Sequence, residues 1–322
     1  MATFGAFINL TEQDPEAGLR RSILESVLVG HQLKYAYGKA EYDQYPRIAR
    51  ELANTVPTPD IFLASCWPSM DALKQNTGKG IIFTGLSDTP DDGDYNDTPR
   101  ITGLKGFAAT KLCRHWLDLL TQINSSITRV AVIYDQDQAH KSMQAQYDEI
   151  AKYKAPLISL QTLHADDPNP DPMRRRPVND LNIKREIADF AQDSNPAGLI
   201  VTAGTRNMLL RKHIIDAVNE VNSTTPKLFT IYPASLFVNS GGLMSYGPDL
   251  SELYQLAAQR LKVLIESNIP LGEFQTRFPI IENQDFELVV SGSAASRLNI
   301  NIPSMFTVTI DGTSQQIKPK IV

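Results

Sequence analysis

The chain is poor in the residues that build metal and disulfide scaffolds. Its 322 residues include two cysteines, Cys66 and Cys113. They lie far apart and off any metal-ligand spacing, which excludes a zinc site and a disulfide framework; both read as small buried hydrophobes, and no cofactor is expected. Long apolar runs are also missing. The longest uncharged stretch, Leu228 to Pro248, is broken by Pro, Asn, Ser and Gly, so it holds no unbroken run of the roughly 18 apolar residues a membrane helix needs, and a soluble protein is expected. Excess positive charge is absent too, with 31 Lys and Arg against 36 Asp and Glu, a net charge of -5. That balance gives no electrostatic footprint for nucleic acid, and none is expected as a partner. The G-x-S-x-G, Walker A, H-E-x-x-H and G-x-G-x-x-G motifs do not occur, which removes the commonest enzyme chemistries. The first residues lack the charged, apolar, small-residue pattern of a secretory signal. A cytoplasmic protein and an exported one whose signal has been removed both remain open on that ground.

What is present is a globular composition, 42% hydrophobic and 21% charged, on a chain about twice a usual domain in length. Short apolar runs alternate with helical patterns. "TFGAFI" is followed by Asp14-Pro15, an N-cap with proline at the first helical position, and by Leu19, Ile23, Val27 and Leu28 at helical spacing. "LKYAY", "DIFLAS" and "GIIFTG" continue the series, each separated by a helical stretch. A polar segment, Ser87 to Arg100, interrupts it, and the pattern restarts with a helix carrying Leu112, Trp116, Leu119, Leu120 and Ile123. "RVAVIYD", "PLISLQTL", "GLIVTAG" and "KLFTIYP" follow, again separated by helices. Strict alternation is the signature of parallel sheets covered on both faces, so the expected class is α/β with two doubly wound parallel-sheet lobes and a ligand cleft between them. The segment from Asp167 to Pro177 reads as a solvated loop.

In open parallel sheets ligands sit beyond the carboxyl ends of the strands, where loops and helix N-termini offer free backbone N–H groups. Those loops supply the candidate ligand-binding residues: Asn9 and Thr11 after the first strand, Ser65 and Trp67 after the third, Thr84 after the fourth, and Gly204, Thr205 and Tyr232 in the second half. Trp67 could stack on a ligand ring, and Arg206 stands at a helix start where an anion could dock.

The stretch "GGLMSYGPDLSELY", Gly241 to Tyr254, joins a glycine pair, a short strand and a fresh helix start. Asp249 can accept the Glu252 N–H while Glu252 reaches back, an aspartate variant of the capping box, and Leu250, Leu253, Ala257, Leu261, Leu264 and Ile265 then form one apolar face. The segment from Phe237 through Pro303, with its "GGLMSYGPDL" and "FELVV" runs, closely resembles the C-terminal part of the substrate-binding proteins of ABC transporters related to tryptophan and tyrosine uptake. A weaker resemblance takes in "YDQYPRIARELA", "RITGL" and "RVAVIYD", and so most of the chain.

The resemblance implies the type I periplasmic-binding-protein fold, with one lobe at 1–103 plus 234–270 and the other at 104–233 plus 271–322. It implies a monomeric, non-enzymatic receptor, periplasmic or at the cell surface, that closes two lobes on a small polar or aromatic, amino-acid-like metabolite and delivers it to an ABC permease. Tyr246 would then face the ligand, with Ser245 pointing the other way along a regular strand. Relatives carry a Y-N-x-x-E-A-N-S pattern after the strand matching "RVAVIYD"; here "YDQDQAHKS" places Asp135 at the first Asn and His140 and Lys141 at the Asn-Ser pair. An acidic Asp135 would repel a carboxylate that His140 or Lys141 could attract. Two other functions stay open. A ligand-sensing domain of a signalling system can use the same fold, and a two-lobed racemase could use paired cysteines, although Cys113 falls in a helical run where its partner thiol should end a strand.

Overall fold

The computed structural model describes residues 1–39, 41–87, 98–107, 109–133, 147–152, 158–163, 180–193, 195–223, 227–283, 285–310 and 313–322. The polar 88–97 stretch, Asp135, His140, Lys141 and the 167–177 loop lie outside them. The chain forms two compact units, Met1–Ala108 with Asp249–Gln284 and Ala109–Pro248 with Asp285–Val322.

The first unit opens β1 (Thr3–Ile8), α1 (Pro15–Val27), β2 (Gln32–Tyr37), α2 (Tyr45–Ala53), β3 (Ile61–Ala64), α3 (Trp67–Asn76), β4 (Gly80–Ser87) and β5 (Ile101–Phe107). Every residue of β1 and β3 is buried, because both faces of a parallel sheet are covered and an uninterrupted apolar run is what such a strand needs. Asp14 caps α1 by accepting the Glu16 N–H at 2.9 Å, so the Asp-Pro start functions as the sequence indicates.

The second unit takes up the chain with α4 (Ala109–Ile123), β6 (Arg129–Ile133), β7 (Ser159–Leu163), α5 (Asp180–Phe190), β8 (Ala197–Val201), α6 (Thr205–Leu209), α7 (Arg211–Asn222), β9 (Leu228–Tyr232), α8 (Ser235–Asn239) and β10 (Met244–Gly247). The first unit is then completed by α9 (Leu250–Glu266), α10 (Phe274–Arg277) and β11 (Ile281–Glu282). The second is completed by β12 (Glu287–Val290), α11 (Gly292–Arg297), β13 (Phe306–Ile310), β14 (Thr313–Ile317) and β15 (Lys320–Ile321).

The six strands of the first sheet run parallel in the order β11-β5-β4-β3-β1-β2. Period-two alternation sends Phe4, Leu63 and Ile82 to a face covered by Leu253, Ala257, Leu261 and Leu264 of α9, and Phe7, Phe62 and Phe83 to the face holding Leu52 and Leu73. The second sheet, β15-β12-β10-β9-β8-β6-β7, is parallel from β10 to β7, but β12 runs antiparallel to β10. Gly247 pairs with Glu287, so the chain re-enters this sheet at the end where it left, and the returning strand must run backwards. The β13–β14 hairpin docks on α4, where the Gln122 amide exchanges 2.7 Å bonds with the Thr307 carbonyl and N–H as a backbone group would.

The unit boundaries differ from the sequence expectation. Residues 234–248, expected in the first lobe, belong to the second unit, and 104–108 and 271–284, expected in the second lobe, belong to the first. The reason is local: after β9 the short α8 returns the chain to an adjacent parallel strand, with Met244 opposite Ile231 and Ser245 opposite Tyr232. A strand–helix–strand crossover of this kind keeps sequence neighbours together in one sheet. Gly247 permits the close approach, because a Cβ there would collide with the Pro233 carbonyl oxygen. Gly241, at φ +103°, turns the chain between α8 and β10 in a conformation that other residues rarely adopt. The capping box is seen in its aspartate half: Asp249 accepts the Ser251 and Glu252 N–H groups at 2.9 and 3.3 Å, and among the described residues no bond links the Glu252 carboxylate to the cap N–H.

Candidate functional site

Three candidates from the sequence meet at one row of the first sheet. Phe7 pairs with Ala64 and Ala64 with Phe83, so the next residues along these strands, Ser65 and Thr84, stand side by side just beyond the paired core, with Asn9 next to them. Asn9 and Ser65 are bonded to each other. The Ser65 hydroxyl accepts the Asn9 N–H at 3.0 Å and donates to the Phe7 carbonyl at 2.8 Å, with Asn9 Oδ1 3.2 Å away.

Beneath this pair lies a buried cluster that the sequence did not announce. Arg20 of α1, 5% exposed, donates to Asn9 Oδ1 at 2.9 Å and to the Tyr254 hydroxyl at 3.4 Å, and its Nε meets the Glu16 carboxylate at 3.0 Å. Its guanidinium also lies 4.8 Å from the centre of the Tyr254 ring. Burial opposes the cation, and Tyr254 and Glu16 outweigh that opposition to hold Arg20 charged. The Tyr254 phenol is held neutral, chiefly by burial. The pair of Glu16 and Arg20 cancels, so Asn9 and Ser65 sit on a neutral, hydrogen-bonded floor. Their hydrogen bonds fix the ends of β1 and β3, and the Ser65 hydroxyl also neighbours the Tyr254 phenol. The available signal for this was Glu16 and Arg20 at i,i+4 on a helix whose neighbouring positions are apolar.

Thr84 differs from its neighbours. It is fully buried and its hydroxyl oxygen has no hydrogen-bond partner among the described residues. The pairing of β4 with β5 slips at this point, between Thr84 and Leu86, and Gly85 takes φ +71°. A bulge of this kind re-aims a side chain at the end of a strand. Thr11 is half-buried in the turn that enters α1, where its carbonyl accepts the Asp14 N–H at 3.1 Å. Trp67 is the first residue of α3, half-buried against the cluster of Phe7, Phe62, Met70 and Phe83, so part of its ring surface packs within the unit. Cys66 precedes it, buried, with its sulfur 3.4 Å from Ser69 Oγ.

At the strand ends of the second unit the organising residue is Asn207. Its side-chain N–H groups reach the carbonyls of Thr202 at 3.0 Å and Ile133 at 3.3 Å, tying the ends of β6 and β8 together, while its Oδ1 is buried without a partner among the described residues. Thr202 donates to the same Ile133 carbonyl at 2.9 Å. Gly204 is buried and caps α6, Thr205 is the first residue of that helix, and Arg206 is half-buried on it. Sequence reasoning placed interest at Gly204 and Thr205 and missed Asn207, one turn on.

Tyr246 and Ser245 alternate on β10 and both are buried within the second unit. The Tyr246 ring stands edge-on to His115 of α4 at 6.0 Å and tilted to Phe286 at 6.0 Å, and its carbonyl accepts the Trp116 indole N–H at 2.7 Å. Burial pushes its phenol up to about 12. Tyr232 is fully buried, stacked on Phe237 at 4.8 Å, and faces a cavity beside α7 rather than a loop. Cys113 falls within α4, as the helical pattern indicates, and no strand end presents a second thiol among the described residues. Those residues contain no cluster of three or more metal-ligating side chains and no helix long and apolar enough to cross a membrane.

No family model matches the chain, and no curated protein shows significant sequence similarity to it. Solved structures do match its fold. A conserved domain protein from Vibrio cholerae O1 biovar El Tor superposes with a TM-score of 0.74 at 16% identity, over 94% of this chain and 96% of that one. An ABC domain from Streptococcus pneumoniae in complex with L-Trp gives 0.72 at 13% identity, over 93% and 96%. A periplasmic binding protein/LacI transcriptional regulator from Alkaliphilus metalliredigens, complexed with D-xylulofuranose, gives 0.58 at 12% identity, over 89% and 97%. At these identities the likeness is one of fold, and the fold is the two-lobed type I periplasmic-binding-protein architecture.

Proposed function

We propose that the chain is a solute receptor that captures a small polar metabolite at the carboxyl ends of its parallel strands and hands it to the permease of an ABC importer. The observation that carries this reading is the Thr84 hydroxyl, buried without a partner among the described residues, beside Asn9 and Ser65 at the end of a parallel sheet. An unmade hydrogen bond in a buried site costs about 1–3 kcal/mol, and a bound solute would recover it. The described groups in this row are neutral donors and acceptors, which favours recognition of hydroxyl or amide groups. The fold supports the receptor reading because neighbours sharing it were solved with an amino acid and with a sugar, so the architecture accommodates different cargo. An amino-acid-like cargo, a periplasmic or cell-surface location and a monomeric state belong to the same proposal. No chemistry is required of the residues, since a ligand acts by binding one state better than another.

A thermal-shift screen against amino acids, sugars and polyols tests it, because a ligand that binds only the folded chain raises its melting temperature. For a compound that does so, Thr84→Val should weaken binding about tenfold, the worth of one buried hydrogen bond, while leaving melting of the free protein unchanged or higher. Equal affinity in wild type and Thr84→Val sinks the site, and catalytic turnover of any screened compound sinks the receptor reading. The alternative of a sensing domain is favoured by the regulator among the fold neighbours. Ligand-dependent stimulation of a permease's ATPase in vesicles separates the two.

A further inference from the structure

The second unit contains a cavity of about 260 Å³ that no part of the reading above uses. Its walls come from Ile215 and Val218 of α7, Leu243 before β10, and Leu298 after α11. The floor carries the fully buried Tyr232 phenol, whose hydroxyl has only the Thr230 side chain of the same strand face near it and no partner at full hydrogen-bond geometry among the described residues. At the exposed rim stands Arg297. Its Nη2 reaches only two neutral acceptors, Asn219 Oδ1 and the Gly241 carbonyl, both at 3.4 Å, and no carboxylate pairs with it among the described residues.

We propose that this cavity is a second small-molecule site, for a compact amphipathic carboxylate whose acid group pairs with Arg297, whose apolar body fills the walls and whose far end bonds to Tyr232. The three features call for three parts of one ligand. A guanidinium held by long bonds to neutral oxygens gains most from an anion it can grip with two N–H groups. Walls that are mainly apolar, with Asn222 and Ser223 among them, favour an occupant with an apolar body. A buried phenol with only the Thr230 side chain near its hydroxyl gains from a better-placed partner at depth, and the space is far larger than the ~30 Å³ of one water. The proposal does not rest on the receptor reading, and its residues are different from the Asn9, Ser65 and Thr84 row of the first sheet.

The test uses 4-hydroxybenzoate, titrated into the full chain and followed at the Gly241 and Gly242 amides by NMR, with affinities from calorimetry. Saturable shifts at both amides are expected. Arg297→Gln should weaken binding about tenfold or more, the worth of a charge-assisted bond, and Tyr232→Phe about fivefold. 4-Hydroxybenzyl alcohol, which keeps the body and phenol but lacks the acid, should bind at least as weakly as the acid binds to Arg297→Gln. Arg297 is exposed and Tyr232→Phe keeps the ring stacked on Phe237, so both variants should fold; matching amide spectra of the free proteins check this. Thr84→Val should leave these affinities unchanged, which separates this site from the strand-end site. Absence of shifts at millimolar ligand, as for a cavity holding only water, overturns the proposal. Equal binding of the alcohol and the acid, or affinity indifferent to Arg297→Gln, does the same.

Discussion

At the scale of single residues the decisive feature is how buried polar groups are partnered. Arg20 has Glu16, Asn9 and Tyr254 around it, and removing one side of a buried pair leaves the other charged and desolvated. Arg20→Ala should therefore destabilise the chain by about 3–5 kcal/mol, and Glu16→Gln added to it should recover part of that loss, as urea unfolding would measure. Full additivity of the two substitutions would show that the pair is not coupled. Tyr246 gives a pH signature. Its folded value near 12 lies above the ordinary phenol value of about 10, so it contributes stability that is complete below pH ~10 and lost as pH rises through 12. Tyr246→Phe should leave melting at pH 7 nearly unchanged and shift the alkaline unfolding midpoint upward, read by circular dichroism. Asn9 and Ser65 were legible in the sequence as strand-end polar residues, but their inward bonds were not, because Arg20 and Tyr254 lie 11 and 234 residues from their partners.

At the scale of elements, stretches that carry their own stop and start signals form where those signals stand. The 17-residue α9 begins at Asp249, whose carboxylate satisfies two N–H groups that would otherwise lack partners. Asp249→Ala should cost about 1 kcal/mol, detectable as a shift of the urea midpoint at constant slope. The β9–β10 contact depends on shape rather than on pattern. Gly247→Ala drives a methyl into the Pro233 carbonyl, a backbone atom that cannot swing aside, and should cost at least the ~1–3 kcal/mol of ordinary overpacking. A stability loss no larger than that of an exposed Gly→Ala change would show that the two strands separate freely. The short α8 and the bulge at Thr84 left no clear trace in sequence, since both are set by which strand lies alongside.

At the scale of the whole molecule the two units have separate cores, each with its own sheet. Local openings in such a protein should follow the units. In hydrogen exchange, Gly247→Ala should raise exchange across β8, β9 and β10 more than across β1, β3 and β4, whereas Arg20→Ala should do the reverse; uniform loss in either variant would mean one cooperative block. The α/β class, the parallel sheets and the helix starts at Asp14 and Asp249 were determined by the sequence alone, because apolar period and cap chemistry act between near neighbours. Only the tertiary structure decided that "GGLMSYG" closes the second sheet instead of joining the first, that β12 returns antiparallel, and that Tyr232 faces a cavity while Arg20 lies beneath Asn9. Those outcomes depend on pairings between residues far apart in the chain, where the free energy of one contact is set by its neighbours' shape and burial and cannot be read from spacing.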